Sequence, residues 1–319
     1  MSERAHDNYG EGRLRAALKS TFERCGYVRY KMRKFEPYSL YAENLPFLKD
    51  EHILTFSDPD GALMALKPDV TLSIAKNARF GEKLYYTESV YRLSRENNAF
   101  REIPQMGVEC VGAVDACATA EIAHLAIAAL RLTGANYALD VGHMGFLSAL
   151  MDEVDCSPSR RETISRLLGG KNAHELSAFC LSCGFSSEWT DALLRLTTLR
   201  GGLRDSLPQA EALIRGDAMR AAYDELMALS DALKSLGEGE NASLDFSIVN
   251  DLNYYNGVVF RGYIEGVPRA VLSGGRYDLL LKRLARRGGA IGFALYLDEL
   301  SRVLERPAAY DVDVLCLYD

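Results

Sequence analysis

The sequence predicts an α+β fold, in which a mostly antiparallel sheet flanked by helices is interrupted by a helical insertion. Three observations lead to this prediction. Residues 84–93 are rich in tyrosine and β-branched residues and residues 103–111 alternate as in a strand, helical periodicity dominates residues 146–241, and strand-like alternation then returns. Groups of strands separated from a group of helices are typical of α+β proteins. We therefore divide the chain into a core, residues 1–143 and 243–306, and an insertion, residues 144–242.

Composition and charge limit the class of protein. The 319 residues are 48% hydrophobic and 25% charged, which is ordinary for a soluble globular chain. The net charge of −7 gives no general field that would attract nucleic acid. We expect the polar N-terminus not to be a signal peptide, and no apolar run in the sequence is long enough to span a bilayer. We expect a cytoplasmic protein.

The cysteines predict neither a disulfide framework nor a metal site. Their number, seven, is odd, and they are scattered along a long chain. Cys180 and Cys183 form an isolated C-x-x-C pair, without the second pair or the histidines that zinc needs. We read them as two packed thiols, and we expect neither a bound metal nor a cofactor.

The first third of the chain predicts short elements around a hairpin. Residues 13–25 have a helical apolar face and end at Gly26, and residues 28–33 alternate as in a strand. Two further strands are predicted at residues 54–56 and 63–66, on either side of a turn. A helix is predicted from residue 71 through residue 78.

The hairpin has a polar face that suits a small ligand. Strands are predicted at residues 84–93 and 103–111, with a loop at 94–98. Gln105 and Glu109 each lie two residues from Gly107, so all three point to one side of the strand. An amide and a carboxylate beside a glycine could hold an amine or an imidazole. The alternative is a half-buried hairpin whose polar face meets water.

The rest of the chain continues the pattern. A helix over residues 121–132 and a strand over residues 137–141 precede the insertion, whose only tryptophan, Trp189, is predicted to be buried. After the insertion, strands are predicted at 244–248, 257–264, 269–272 and 291–295, helices at 279–285 and 297–304, and one more strand at 311–318.

Three short motifs together resemble histidyl-tRNA synthetases. They are Arg92 followed by Q-x-G-x-E at residues 105–109, the pair Tyr254-Tyr255, and G-G-R-Y-D at residues 274–278. The resemblance covers nearly the whole chain, in the order of that family. It implies a class II aminoacyl-tRNA synthetase-like core and a homodimer formed through residues 13–35. It also implies that residues 307–319 begin a truncated or vestigial C-terminal segment, where the enzymes have an anticodon-binding domain.

The resemblance also implies a histidine pocket. In the family, an acid and a threonine hold the amino group of histidine, and Asp69 and Thr71 keep that chemistry. The same two residues would equally suit the start of a helix. The implied histidine-binding residues are Asp69, Thr71, Gln105, Glu109, Tyr254, Tyr255 and Tyr277, and Arg92 is an implied contact for a phosphate or another anion.

Three departures from the synthetase pattern fall on catalytic positions. Asn250 and Glu299 stand where the family has arginines, and Ser94 stands where it has an adenine-reading acid. Arginines stabilise the charge that develops on ATP, and each lost donor costs roughly 10²–10³ in rate. We therefore predict no catalytic residues and no activation of histidine.

A synthetase-like chain with a histidine pocket and no catalysis resembles the regulatory subunits of the short-form ATP phosphoribosyltransferase. That resemblance implies a separate short-form catalytic subunit as partner, which this chain would bind and activate. It also implies histidine as the effector that inhibits the complex, a homodimer within a hetero-oligomer, and no tRNA or membrane partner. Two alternatives stay open: an active histidyl-tRNA synthetase, and a stand-alone histidine-binding or tRNA-like-binding protein.

Overall fold

The fold is described from a computed structural model that covers residues 9–48, 52–94, 99–154, 156–248 and 254–304. The Ser94–Asn98 loop beyond its first residue, Asn250 and the strand predicted at 311–318 lie outside these ranges. No helix among the described residues combines the length and the apolarity that crossing a membrane would need.

The first half of the chain mixes short helices with strands. Its elements are α1 (Tyr9–Arg24), β1 (Val28–Arg29), β2 (Phe35–Pro37), α2 (Tyr38–Ala42), α3 (Leu45–Leu48), β3 (Thr55–Ser57), β4 (Leu63–Leu66), α4 (Thr71–Asn77), β5 (Glu82–Ser94), β6 (Ala99–Gly112), α5 (Ala116–Arg131) and β7 (Tyr137–His143).

The second half begins with helices and returns to strands. Its elements are α6 (Met144–Asp152), α7 (Pro158–Gly169), α8 (Ala173–Ser182), α9 (Ser187–Thr198), β8 (Arg200–Gly202), α10 (Leu203–Glu211), α11 (Gly216–Ser235), a 3-10 turn (Gly239–Asn241), β9 (Ala242–Asp245), β10 (Val258–Ile264), β11 (Leu272–Arg276), α12 (Asp278–Arg283), β12 (Gly289–Tyr296) and α13 (Leu297–Leu304).

One large sheet organises the fold. Its nine strands follow the order β1-β5-β6-β12-β11-β10-β7-β9-β8, and β2, β4 and β3 form a second sheet. In the large sheet the pairs β1–β5 and β7–β9 are parallel, and the other six neighbouring pairs are antiparallel. The predicted fold class, a mostly antiparallel sheet with helices and a helical segment between strands, is therefore confirmed.

The sheet separates two apolar clusters. Because neighbouring side chains of a strand point to opposite faces, Tyr85 and Val108 pack into a large cluster with α1 and α5, whereas Leu84 and Tyr86 pack into a smaller cluster with α4 and α12. Glu109 shares its face with Leu84, its partner across the β5–β6 ladder. The polar face predicted for the hairpin therefore lies under the smaller cluster.

The helices between β7 and β9 pack on the large cluster, and α11 lies against α5, α6 and α10. Trp189 is half-buried against this cluster, with the guanidinium of Arg215 5.2 Å from its ring. Cys180 is buried, Cys183 is partly exposed, and both are free thiols. The division into core and insertion remains a prediction, because the packing alone does not define independent units.

Several predicted strands have different bounds in the structure. The strand predicted at 28–33 is only Val28–Arg29, although the Tyr30 N–H still donates to the Tyr85 carbonyl. The strand predicted at 244–248 ends at Asp245, because its carboxylate accepts hydrogen bonds from the N–H and the hydroxyl of Ser247 and turns the chain. The strand predicted at 269–272 instead begins at Leu272.

The helical segment also contains a strand that the periodicity did not reveal. Residues Arg200–Gly202 form β8, which pairs with β9 at the edge of the large sheet. Gly201 has φ +158°, at the edge of the range that favours glycine, and a Cβ there would lie 2.8 Å from the Ser206 hydroxyl. Glycine therefore permits the strand to run directly into α10.

Candidate functional site

A polar cavity of about 350 Å³ lies over the face of the large sheet that carries Glu109. The structure brings every predicted site residue into its lining: Asp69, Thr71, Arg92, Gln105, Glu109, Tyr254, Tyr255 and Tyr277. These residues come from five separate segments of the chain. Their convergence is a feature of the fold, whereas their role in binding histidine remains a prediction.

Glu109 forms the centre of the cavity floor and is buried. Its Oε1 accepts a hydrogen bond from Thr71 Oγ1 at 2.7 Å, and its Oε2 accepts one from the Tyr277 hydroxyl at 2.7 Å. Burial raises the pKa of Glu109 to about 8, against the opposing effect of these two hydrogen bonds. At neutral pH, with no cationic group bound beside it, the carboxyl is therefore largely protonated.

Gln105 is also buried, with 4% of its surface exposed. The sequence-based alternative of a polar face open to water is therefore wrong for Gln105 and Glu109. Among the described residues, Gln105 Nε2 has no hydrogen-bond partner. An unpaired buried donor costs about 1–3 kcal/mol, so this nitrogen favours a ligand that brings an acceptor.

Asp69 lines the cavity and also serves the start of a helix, which is one of the two roles that the sequence left open. One oxygen, Oδ1, accepts the Leu72 N–H at 2.7 Å and so caps the start of α4. The other, Oδ2, lies 3.6 Å from Arg92 Nη2. Burial raises the pKa of Asp69, and the neighbouring Arg92 guanidinium opposes the rise.

The contacts of Arg92 include two groups of one loop. Besides its ion pair with Asp69, its Nε donates to the Pro68 carbonyl at 2.8 Å. Arg92 is therefore fixed at the rim of the cavity beside Asp69, where a guanidinium could contact an anion.

Three tyrosines form an aromatic wall. The ring centroids of Tyr254 and Tyr255 are 4.6 Å apart, and those of Tyr254 and Tyr277 are 5.8 Å apart. Phe47 extends the wall, with its centroid 6.1 Å from that of Tyr254. Such a wall can cover the face of a planar ring such as imidazole.

Asn256 and Asp278 lock the two tyrosine segments together. The Asp278 N–H donates to Asn256 Oδ1 at 2.9 Å, and Asn256 Nδ2 donates to Asp278 Oδ2 at 3.2 Å. The Asn256 N–H also donates to the Arg276 carbonyl at 3.1 Å. Asn256, which follows the tyrosine pair, and Asp278, which ends G-G-R-Y-D, thus hold the segments that carry the three tyrosines in fixed positions.

A chain of charges continues from this lock to the helical segment. Arg276 Nε donates to Asp278 Oδ2 at 2.8 Å, and its Nη1 lies 3.6 Å from Glu225 Oε1 on α11. The other Glu225 oxygen lies 3.1 Å from His143 Nε2, at the end of β7. The pKa of Glu225 is lowered, mainly by the hydrogen bond from His143. We call Glu225, His143 and Arg276 the α11 bridge.

Sequence reasoning missed part of the lining. Tyr86, Arg261, Ser273, Gly292, Ala294 and Tyr296 also face the cavity. All of them lie on strands, where alternation indicates which residues share a face but not which strands become neighbours. Glu109, Gly292 and Gly275 occupy one row across three strands, which only the register reveals.

Of the three residues that break the synthetase pattern, Glu299 is not among the described residues that line this cavity. Glu299 is in the first turn of α13, and its Oε1 lies 3.7 Å from Arg269 Nη1. Ser94 ends β5. Within the described ranges, no group of three or more histidine, cysteine, aspartate or glutamate residues is placed to hold a metal ion.

Known proteins are similar to this chain in sequence and in fold. The family model for histidyl-tRNA synthetase matches residues 7–300. The chain is 32% identical over 315 residues to the ATP phosphoribosyltransferase regulatory subunit of Geobacillus kaustophilus (strain HTA426). The match covers 95% of this chain and 79% of that protein.

Two solved structures have a fold similar to that of this chain. An ATP phosphoribosyltransferase regulatory subunit/histidyl-tRNA synthetase from Bacillus halodurans has a TM-score of 0.86 at 29% identity, covering 96% of this chain and 82% of that chain. A chain of the ATP phosphoribosyl transferase (HisG:HisZ) complex from Thermotoga maritima shares the fold, with a TM-score of 0.71 at 16% identity, covering 91% of this chain and 98% of that chain.

The large sheet and the cavity on its face thus define a protein with the class II aminoacyl-tRNA synthetase fold. The chain belongs to the histidyl-tRNA synthetase family and, within it, to the family of ATP phosphoribosyltransferase regulatory subunits. The recognition from three short motifs is confirmed.

Proposed function

We propose that this chain binds and activates a short-form catalytic subunit of ATP phosphoribosyltransferase in the cytoplasm, and that histidine in its cavity contributes to feedback inhibition of the complex. The regulatory role follows from the family. One observation supports the histidine part: all the residues predicted to contact the amino acid line one cavity, while Glu299, at a position where the synthetases have an arginine, lies beside Arg269.

The chemistry of the cavity suits histidine. Asp69 and Glu109 offer carboxylates to the ammonium and imidazole groups, and Gln105 offers an unpaired buried donor. Binding a cationic group beside Glu109 favours the ionised carboxylate and lowers its pKa. Histidine binding should therefore release a proton from Glu109 near neutral pH.

The proposal includes at least a homodimer, formed through residues 13–35. In the single chain, Val28 is 65% exposed and Phe35 is 48% exposed. The ring of Phe35 meets that of Phe56 edge-on, with centroids 5.4 Å apart, and Leu63 is exposed nearby on the same small sheet. Clustered exposed apolar side chains favour a protein contact. Light scattering that shows a stable monomer at micromolar concentration would contradict this part.

The decisive experiment is a phosphoribosyltransferase assay. A short-form catalytic subunit from the same genome is assayed with and without this chain, while histidine is titrated. We expect higher activity with the chain present, and inhibition by histidine that depends on the cavity. Activity that does not respond to the chain would refute the regulatory proposal for that partner.

The Glu109→Gln variant tests the cavity within the same assay. Loss of a charged hydrogen bond costs roughly 1.5–3 kcal/mol, so calorimetry should show histidine affinity about ten- to a hundredfold weaker. Glu102→Gln is the matched control, because Glu102 lies on the same strand but is exposed. If both variants bind histidine like the native complex and inhibition is unchanged, the cavity is not the sensor.

A further inference from the structure

A second guanidinium reaches the cavity from the side opposite Glu109. Arg261, half-buried on β10, lines the cavity. It pairs with Ser273 on β11, Ser273 pairs with Ala294 on β12, and Ala294 pairs with Gly107 on β6. Paired residues of antiparallel strands point to the same face, so Arg261 shares the cavity floor with Gly107 and its neighbours Gln105 and Glu109.

The spacing of the strands leaves room for one small molecule. Arg261 and Gly107 are three strands apart, which corresponds to about 14 Å between their backbones. The long Arg261 side chain covers part of this span, and Glu109 and Gln105 cover part from the other side. The residues between, Ser273 and Ala294, have small side chains. The cavity volume of about 350 Å³ is large enough for an amino acid.

The two ends of the cavity present different groups. Asp69 and Glu109 lie at one end, and that end suits the ammonium and imidazole of a histidine. Arg92 lies at the same end, because it is paired with Asp69 and bound to the Pro68 carbonyl. Arg261 brings a guanidinium to the other end.

We propose that Arg261 binds the α-carboxylate of the amino acid and so makes the cavity specific for a zwitterion rather than an amine. A guanidinium presents two parallel N–H donors in the geometry that a carboxylate accepts. This inference rests on the proposed histidine function and adds the group that reads the carboxylate.

Calorimetry with histidine and histamine tests the assignment. Histamine keeps the imidazole and the ammonium but lacks the carboxylate. The native chain should bind histidine at least tenfold more tightly than histamine. Arg261→Gln should weaken histidine binding about ten- to a hundredfold and leave histamine binding unchanged, because only one ligand loses a contact. Unchanged histamine binding also shows that the variant is folded.

Arg92→Gln is the comparison variant. Because Arg92 contacts Asp69, we expect this substitution to change the affinities for histidine and histamine together. The subsite is refuted if Arg261→Gln keeps the native preference for histidine, if the native chain has no such preference, or if only Arg92→Gln abolishes it. A native chain that binds neither ligand instead overturns the histidine proposal itself, so the two failures are distinguishable.

Discussion

Gly292 lies directly opposite Glu109 across the β6–β12 ladder, and a Cβ at position 292 would lie only 1.9 Å from Glu109 Oε2. The same Cβ would lie 2.3 Å from the Val108 carbonyl oxygen, which belongs to the backbone and cannot move aside cheaply. Glycine at this position therefore creates the space that the buried carboxyl occupies, and with it the floor of the cavity.

Gly292→Ala should therefore destabilise the protein and distort the floor. Overpacking of this kind costs about 1–3 kcal/mol, and urea unfolding monitored by circular dichroism measures it. Gly12→Ala is the control, because position 12 lies in α1 with open space around it. That substitution should instead stabilise the protein by roughly 0.5–1 kcal/mol. Equal effects of the two substitutions would contradict the role assigned to Gly292.

The pKa of Glu109 predicts how stability depends on pH. Its folded-state value, about 8, lies above the roughly 4.3 of an unfolded chain. Between these values the folded protein keeps a proton that the unfolded chain has lost. The contribution to stability is therefore complete below pH ~4.3 and is lost as the pH rises through about 8.

Urea unfolding of the ligand-free protein at a series of pH values from 5 to 9 measures this effect. The free energy of unfolding should fall more steeply with rising pH in the native chain than in Glu109→Gln, which cannot titrate at this position. Glu102→Gln should follow the native curve. Parallel curves for the native chain and Glu109→Gln would show that the buried carboxyl does not titrate as described.

The α11 bridge predicts that α11, which lies outside the cavity, restricts the motion of the aromatic wall of the cavity. Glu225→Gln keeps the size of the side chain but removes the charge that Arg276 and His143 share. Since Glu225 is 45% exposed, we expect a loss of only about 0.5–1 kcal/mol. Hydrogen exchange measured by mass spectrometry should show faster exchange in peptides that contain the Asn256 amide, which bonds to the Arg276 carbonyl.

Asp224→Asn is the matched control for the bridge, since Asp224 is exposed and adjacent to Glu225 on α11. It should leave exchange near Asn256 at the native level. The bridge has no effect on the wall if Glu225→Gln and Asp224→Asn give the same exchange pattern.

The purified chain should form no histidyl-adenylate. Asn250, Glu299 and Ser94 replace two cations and an adenine contact of the synthetase pattern, and Glu299 would add a negative charge near ATP. The measurement is histidine-dependent exchange of pyrophosphate into ATP, with an active histidyl-tRNA synthetase as positive control. Exchange that disappears in Arg92→Ala would overturn the prediction.

The sequence predicted the site better than it predicted the sheet. Q-x-G-x-E, the tyrosine pair and G-G-R-Y-D each carry side chains whose chemistry is visible locally, and all reach one cavity. Arg261 and Gly292 carry no such signal, because their importance arises from neighbours on strands that are distant in sequence. Alternation alone indicates the two faces of a strand and leaves its partners undetermined.

The strand bounds failed for a related reason. Residues 244–248 alternate like a strand, and Phe246 and Ile248 are indeed buried. The hydrogen bonds from Ser247 to Asp245 nevertheless turn the chain, so burial continues without pairing. The three residues of β8 were hidden because two of them are glycines, which carry no pattern of apolar and polar side chains.

The parallel pairing of β7 with β9 means that the helical segment cannot be deleted and replaced by a tight turn. Two parallel neighbours need a crossover of a dozen or more residues to return the chain to the starting end of the sheet, and α6 to α11 are that crossover here. The segment also contributes β8, which covers the outer edge of β9. A shortened chain would therefore need a new crossover. It would also need another element to cover the edge of β9, because an exposed edge strand promotes edge-to-edge aggregation.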